Sequence, residues 1–187
     1  MSKNQKIIKR VLDFFLSLLL IFLLIIPILV LVIIAAIDTR SSGIFVQERI
    51  GIHSKPFNIF KLRTFTIKGG KASTVGTFLR KRKLDELPQL LNVLRGDMSF
   101  VGPRPDIKGY ADKLKGEDRI ILSVKPGITG PASLEYRNEE NMLKDASLHI
   151  DQAFLWKKKV EINKRYIREY SLGKDIGYML KTIFYGG

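Results

Sequence analysis

Residues 83–105 read Lys83-Leu84-Asp85-Glu86-Leu87-Pro88-Gln89-Leu90-Leu91-Asn92-Val93-Leu94-Arg95-Gly96-Asp97-Met98-Ser99-Phe100-Val101-Gly102-Pro103-Arg104-Pro105. Two adjacent carboxylates open the stretch and a Gly-Pro-Arg-Pro turn closes it. Leu84, Leu87, Leu90, Leu91 and Leu94 recur at three- and four-residue steps, which predicts an apolar helical face. Asp85 is suited to cap that helix by accepting a free backbone N–H of its first turn. Pro88 then falls in the first turn, where its missing N–H costs little, and Gly96 is a natural stop. The acids would sit at the positive end of a helix, where a phosphate can also be held. Such a pair commonly does no more than cap. Its company points further: Lys61, Arg63, Arg80, Lys81, Arg82 and Arg104 are all near in sequence. Carboxylates among cations suit a metal–diphosphate site, and they suit a solvated mixed-charge surface as well.

Working outward, the chain of 187 residues is long enough for one domain and an appendage. It has no cysteine, so disulfides, zinc–thiolate sites and cysteine nucleophiles are excluded. Its two histidines, His53 and His149, are too few for a histidine-rich metal site. Lys and Arg total 32 against 18 acids, a net charge of +14, so anionic partners are expected. No helix-turn-helix or RNA-binding motif is present, and nucleic acid is not expected among those partners.

Lys3, Lys6, Lys9 and Arg10 precede an uninterrupted apolar run from Leu18 to Ile37. The run exceeds the apolar core of a secretory signal and matches a bilayer span in length. Pro27, near its middle, removes a helix hydrogen bond. That predicts either a kinked single span or a re-entrant hairpin whose two halves leave both ends on one side. The cationic flank should stay in the cytoplasm, and the basic body that follows argues for the hairpin. Ile44–Gln47 and Phe57–Lys61 flank a loop with Gly51, Ser54 and Pro56 and read as a β-hairpin. Lys68 to Lys71 reads as a connection, Ile107 to Ser123 as helical, and Lys125 to Pro131 as a turn region. Residues 139–170 read as helical, with an aromatic stripe suited to a core. Leu172 to Phe184 forms a basic amphipathic helix suited to a membrane interface or to packing on the domain.

The central stretch resembles the signature of the bacterial sugar transferases, the small monotopic phosphoglycosyl transferases. Phe57–Thr64, Lys125–Gly130 and Lys9-Arg10-Val11-Leu12-Asp13-Phe14 resemble that family too. The resemblance implies an α+β, mainly helical fold. Residues 1–40 would form the basic N-terminus and a re-entrant helix-break-helix, broken at Pro27. Residues 41–187 would form a compact catalytic domain on the cytoplasmic face of the bacterial inner membrane. The implied reaction moves a sugar-1-phosphate from a UDP-sugar to a polyprenyl (undecaprenyl) phosphate and releases UMP. Mg²⁺ is the expected cofactor, since it favours one or two carboxylates plus substrate phosphate. Asp85 is the expected nucleophile and a metal ligand, and Glu86 supports the metal or the leaving group. Lys61, Arg80 and Arg104 would bind phosphate, with Arg80 placed by the resemblance alone. Gly102, Pro103 and Pro105 would form the backbone of the nucleotide-sugar site. Asn163 stands where the family often has Asp. The lipid bilayer is an expected partner, and a homodimer is compatible with the sequence. The competing reading is a non-catalytic, membrane-anchored basic protein that binds anionic lipid.

Overall fold

The computed structural model describes residues 1–66, 70–144 and 151–185. His149 and the Lys68–Gly69 part of the expected connection lie outside the described residues. Among the described residues the fold is mainly helical, with two small two-stranded sheets. A long helix α1 (Lys3–Thr39) leads into the hairpin β1 (Ile44–Ile50) and β2 (Pro56–Leu62). Helix α2 (Thr74–Lys81), a 3-10 segment Leu84–Gln89 and α3 (Leu90–Arg95) follow. Strand β3 (Ser99–Val101) is separated from β4 (Gly127–Thr129) by 3-10 segments Ala111–Lys113 and Gly116–Ser123. Four helices complete the described chain: α4 (Pro131–Glu135), α5 (Glu139–Lys144), α6 (Gln152–Arg168) and α7 (Leu172–Tyr185).

Helix α1 starts on a capping box, in which Ser2 and Gln5 exchange side-chain and backbone hydrogen bonds. It then runs without interruption through Pro27. The break expected there is therefore not a break in the helix. Proline removes one backbone donor, and the turns on either side can keep the helix together. Arg40, in left-handed conformation (φ 50°), ends it. The returning chain lies so close that a Cβ on Gly43 would fall 2.0 Å from the Val32 carbonyl oxygen.

Both ends of α1 are fixed to the body. Near its start, Lys9 pairs with Asp175, and Asp13 Oδ1 accepts from the Phe100 N–H at 3.2 Å. Arg10 donates to the Val93 and Leu94 carbonyl oxygens at 2.7 and 2.8 Å, satisfying the C-terminal end of α3. Near its end, Ala35 packs with Leu62 and Leu79, and Ser73 donates to Asp38 at 2.5 Å. Between these anchors the side chains are largely unburied; Phe22 and Ile26 are 77% and 71% exposed.

The hairpin forms as expected, antiparallel with Ile44 opposite Leu62 and Ile50 opposite Pro56. Side chains alternate across it, and both faces are covered. Ile59 joins Val93 and Met98 on one face, and Leu62 joins Ala35 and Leu79 on the other. The edge of β2 away from β1 is closed by a side chain. Asn92, fully buried, accepts from the Phe60 N–H at 3.1 Å and donates to the Asn58 carbonyl at 2.7 Å. Asn92→Leu strands both backbone groups. It is expected to destabilise the protein by about 2–6 kcal/mol, since each of the two stranded groups costs about 1–3. Urea unfolding in detergent measures this, and a shift below about 1 kcal/mol would mean that water replaces the amide.

Two expectations change. Residues 107–123 do not form one helix; Gly109 (φ 104°) and Gly116 (φ 57°) turn the chain, and only short 3-10 segments form. The Lys125–Pro131 turn contains β4, paired parallel to β3. At Gly102 one side of the α-carbon is packed against backbone. A Cβ there would lie 2.5 Å from the Lys125 carbonyl oxygen, and one on Gly130 would lie 2.2 Å from the Gly102 oxygen. The glycines let backbone pack on backbone. On α7, Asp175, Tyr178 and Met179 face the domain, while Leu172, Ile176, Leu180, Ile183 and Phe184 stay exposed. The apolar stripe is therefore not what packs α7 down. The aromatic stripe of α6 is core in part: Val160, Tyr166 and Ile167 are buried, and Phe154 is exposed.

Candidate active site

The central stretch departs from the expected helix. Asp85 does not cap; it lies inside the 3-10 segment, and the residue before that segment is Lys83, in left-handed conformation (φ 56°). A lysine there is uncommon, and such backbone strain clusters at functional sites. Pro88 also lies within the 3-10 segment, just ahead of α3. Gly96 does end α3, at φ 89°. The buried face is only in part the leucine face: Leu90 is buried, and polar residues are buried beside it. Asp85, Glu86, Gln89, Asn92 and Val93 are buried, whereas Leu91 is 44% exposed.

This register turns both carboxylates inward over the hairpin. Glu86 Oε1 accepts from Arg104 Nη2 at 2.8 Å and from Lys61 Nζ at 3.3 Å. Burial alone would raise the Glu86 carboxyl, but Arg104 and Lys61 outweigh it and hold it at about 2. Arg104 is in turn raised by Glu86. Its side chain is still 47% exposed, which leaves guanidinium donors for another anion. Burial lowers the Lys61 ammonium below the ordinary lysine value, with Glu86 opposing.

Asp85 is different. Among the described residues no hydrogen bond or ion pair reaches its carboxylate. Burial and the neighbouring Glu86 charge raise it above the ordinary aspartate value, against Lys61, Lys83 and Arg80. Two adjacent acids thus have opposite environments. Glu86 organises cations, and Asp85 keeps open lone pairs. Arg80 is exposed at the end of α2, with its guanidinium 4.9 Å from the Phe65 ring centroid. Pro103 and Pro105 are buried on either side of Arg104 and fix the loop that carries it.

Among the described residues no three His, Asp or Glu side chains gather to hold a metal. A dedicated protein cage is therefore not built here. An unpaired carboxylate beside several cations does fit Mg²⁺, which completes its shell with substrate oxygens and water. Asn163 is buried on α6, with its Oδ1 unpartnered among the described residues.

Two further groups join the site that the sequence reading missed. Arg49 lies on the same hairpin face as Lys61, since Phe45 opposes Lys61 and residues two apart share a face. It donates to Gln47 Oε1 at 2.6 and 3.2 Å and to the Pro105 carbonyl at 3.4 Å. Strand alternation alone could have flagged it. Asp106 follows the Pro-Arg-Pro turn; burial pushes it up to about 6, against Lys159, Arg49 and Arg104.

The sequence profile of the bacterial sugar transferases matches residues 4–186. The chain belongs to that family. It is 34% identical over 187 residues to an uncharacterized sugar transferase, EpsL, of Bacillus subtilis, covering 95% of this chain and 86% of that protein. It is 34% identical over 203 aligned residues to the UDP-glucose:undecaprenyl-phosphate glucose-1-phosphate transferase of Escherichia coli, covering all of this chain and 41% of that protein. A transferase of the same name from Caulobacter vibrioides is 33% identical over 191 residues, covering 94% of this sugar transferase and 68% of that one.

Proposed function

We propose that the chain transfers a sugar-1-phosphate from a UDP-sugar to undecaprenyl phosphate, releasing UMP, as a membrane step that begins glycan assembly. The observation that carries this is the buried pair in which Glu86 gathers Lys61 and Arg104 while the Asp85 carboxylate has no hydrogen-bond or ion-pair partner among the described residues. An Asp85 oxygen attacks the sugar-bearing phosphorus of the donor. The bridging P–O bond breaks, and its electron pair leaves with UMP. The aspartyl phosphosugar is then attacked by an acceptor phosphate oxygen, which restores the Asp85 carboxylate. Splitting the transfer in two lets a soluble donor and a lipid acceptor bind at different times. Arg104 and Lys61 hold phosphate oxygens. Mg²⁺, held by Asp85, would neutralise the donor diphosphate. Turnover is tested with a panel of UDP-sugars and undecaprenyl phosphate, scored for UMP. No UMP from any donor would favour the reading as a lipid-binding anchor.

The same reading places the protein on the cytoplasmic face of the inner membrane, with α1 re-entrant. Two observations support this. A straight helix of 37 residues would be about 55 Å long, yet α1 is fixed near both ends to one small body, and its unburied middle carries Pro27. The single apolar helix long enough for a membrane is α1 itself, among the described residues. Cysteines placed by Ser2→Cys and Ser171→Cys are expected to be shielded alike from an impermeant reagent in intact cells. Labelling at 171 but not at 2 would establish a single span.

A further inference from the structure

A cavity of about 610 Å³ opens between α4, α6 and α7. It shares no residue with the Asp85–Glu86 cluster. Arg137, Arg165, Lys174 and Lys181 line it, against Glu135 and Glu169. Lys174 and Glu169 pair at 2.9 Å, and Arg165 with Lys181 against Glu135 still leave the groove a cationic excess. Its floor includes Leu134, Ile162 and the Tyr178 ring. An apolar and aromatic floor under a cationic rim suits a ligand with a flat body and a phosphate-bearing end.

The orientation of α7 separates two sources of phosphate. Ile176, Leu180 and Ile183 form its exposed apolar stripe. Lys174, Tyr178 and Lys181 lie roughly 150° round the helix from them. If the stripe meets lipid, the groove opens away from it, towards water. A lipid headgroup is then poorly placed to enter, and a soluble anion is well placed. The volume falls within the range of pockets that enclose molecules of nucleotide size.

We propose that this groove is a second binding site, for a water-soluble nucleotide carrying a diphosphate, separate from the site of phosphoryl transfer. Arg165 and Lys181 hold the phosphates, and Tyr178 with Ile162 contacts the base.

The test is calorimetric titration of the full chain in nanodiscs of phosphatidylcholine with UDP, ADP and inorganic phosphate. Two equivalents of UDP are expected per chain. Arg165→Glu with Lys181→Glu should weaken one of them at least 10-fold and leave saturated turnover within about 2-fold. The milder pair Arg165→Gln and Lys181→Gln should weaken it less while keeping the wild-type melting temperature, which guards against misfolding. Arg104→Ala should spare this equivalent and weaken the other, so failure here and failure of the transferase reading remain distinguishable. A single UDP equivalent in the wild type, or unchanged binding in both groove variants, would overturn the proposal. So would inorganic phosphate competing as well as nucleotide. Loss of the second equivalent on adding phosphatidylglycerol to the disc would assign the groove to a lipid headgroup instead.

Discussion

Asp85→Asn is expected to lower turnover by on the order of 10³-fold or more. The substitution keeps the shape and removes the nucleophilic oxygen. Because no partner depends on the Asp85 carboxylate among the described residues, and because it does not cap a helix, stability should change by no more than about 1 kcal/mol. Loss of activity alone would not distinguish a nucleophile from a metal ligand, so the deciding measurement is intact mass after mixing with UDP-sugar and Mg²⁺ without acceptor. A sugar-phosphate adduct on the wild type, absent from Asp85→Asn, is the expected result, with UMP released in a burst of at most one equivalent. An enzyme that turns over with acceptor but shows neither adduct nor burst would be transferring directly. The pH profile should follow the same residue. Asp85 is raised above its ordinary 3.8 and Glu86 is lowered, so on acidification Asp85 takes a proton first. The acidic limb of kcat/KM should therefore lie above pH 3.8.

Glu86→Gln is expected to destabilise the protein by on the order of 3 kcal/mol at pH 7. Glu86 is buried and holds two cations through one oxygen. Its folded carboxyl sits at about 2 against an ordinary 4.5. A depressed acid stabilises the fold above its unfolded value, and that contribution is lost as pH falls. The gap between wild type and Glu86→Gln should thus be full above pH 4.5 and close between 4.5 and about 2. Chemical denaturation at several pH values, comparing the two proteins, isolates this residue from general acid unfolding. A gap that stays constant down to pH 2.5 would show that charge pairing at Glu86 does not stabilise the fold. Activity should fall as well, because Arg104 and Lys61 lose the group that positions them.

What the sequence determined by itself was whatever depends on near neighbours. The hairpin followed from alternation and turn residues, and the stop at Gly96 from its freedom to adopt positive φ. The membrane-suited segment followed from its unbroken apolar length. The motif containing Asp85, Glu86 and Arg104 was legible as one unit, and so was the family. Tertiary structure alone decided which side of that motif faces inward. Five leucines at helical spacing looked like the buried face, yet of these only Leu90 is buried, and Asp85, Glu86, Gln89 and Asn92 are buried with it. The hairpin offers Glu86 Lys61 and the loop after β3 offers it Arg104, while β2 offers Asn92 an open strand edge to close, contacts no local pattern encodes. The same holds for α1. Its opening cations read as a flank for a membrane segment, and only the structure shows that Lys9, Arg10 and the acid Asp13 also tie that helix to α7, to the end of α3 and to β3. The packing of Gly102 on Lys125 and Gly130 was likewise not visible in the sequence. In each case the deciding partner lies far along the chain, and a side chain's spacing in sequence says which face it shares but not what that face meets.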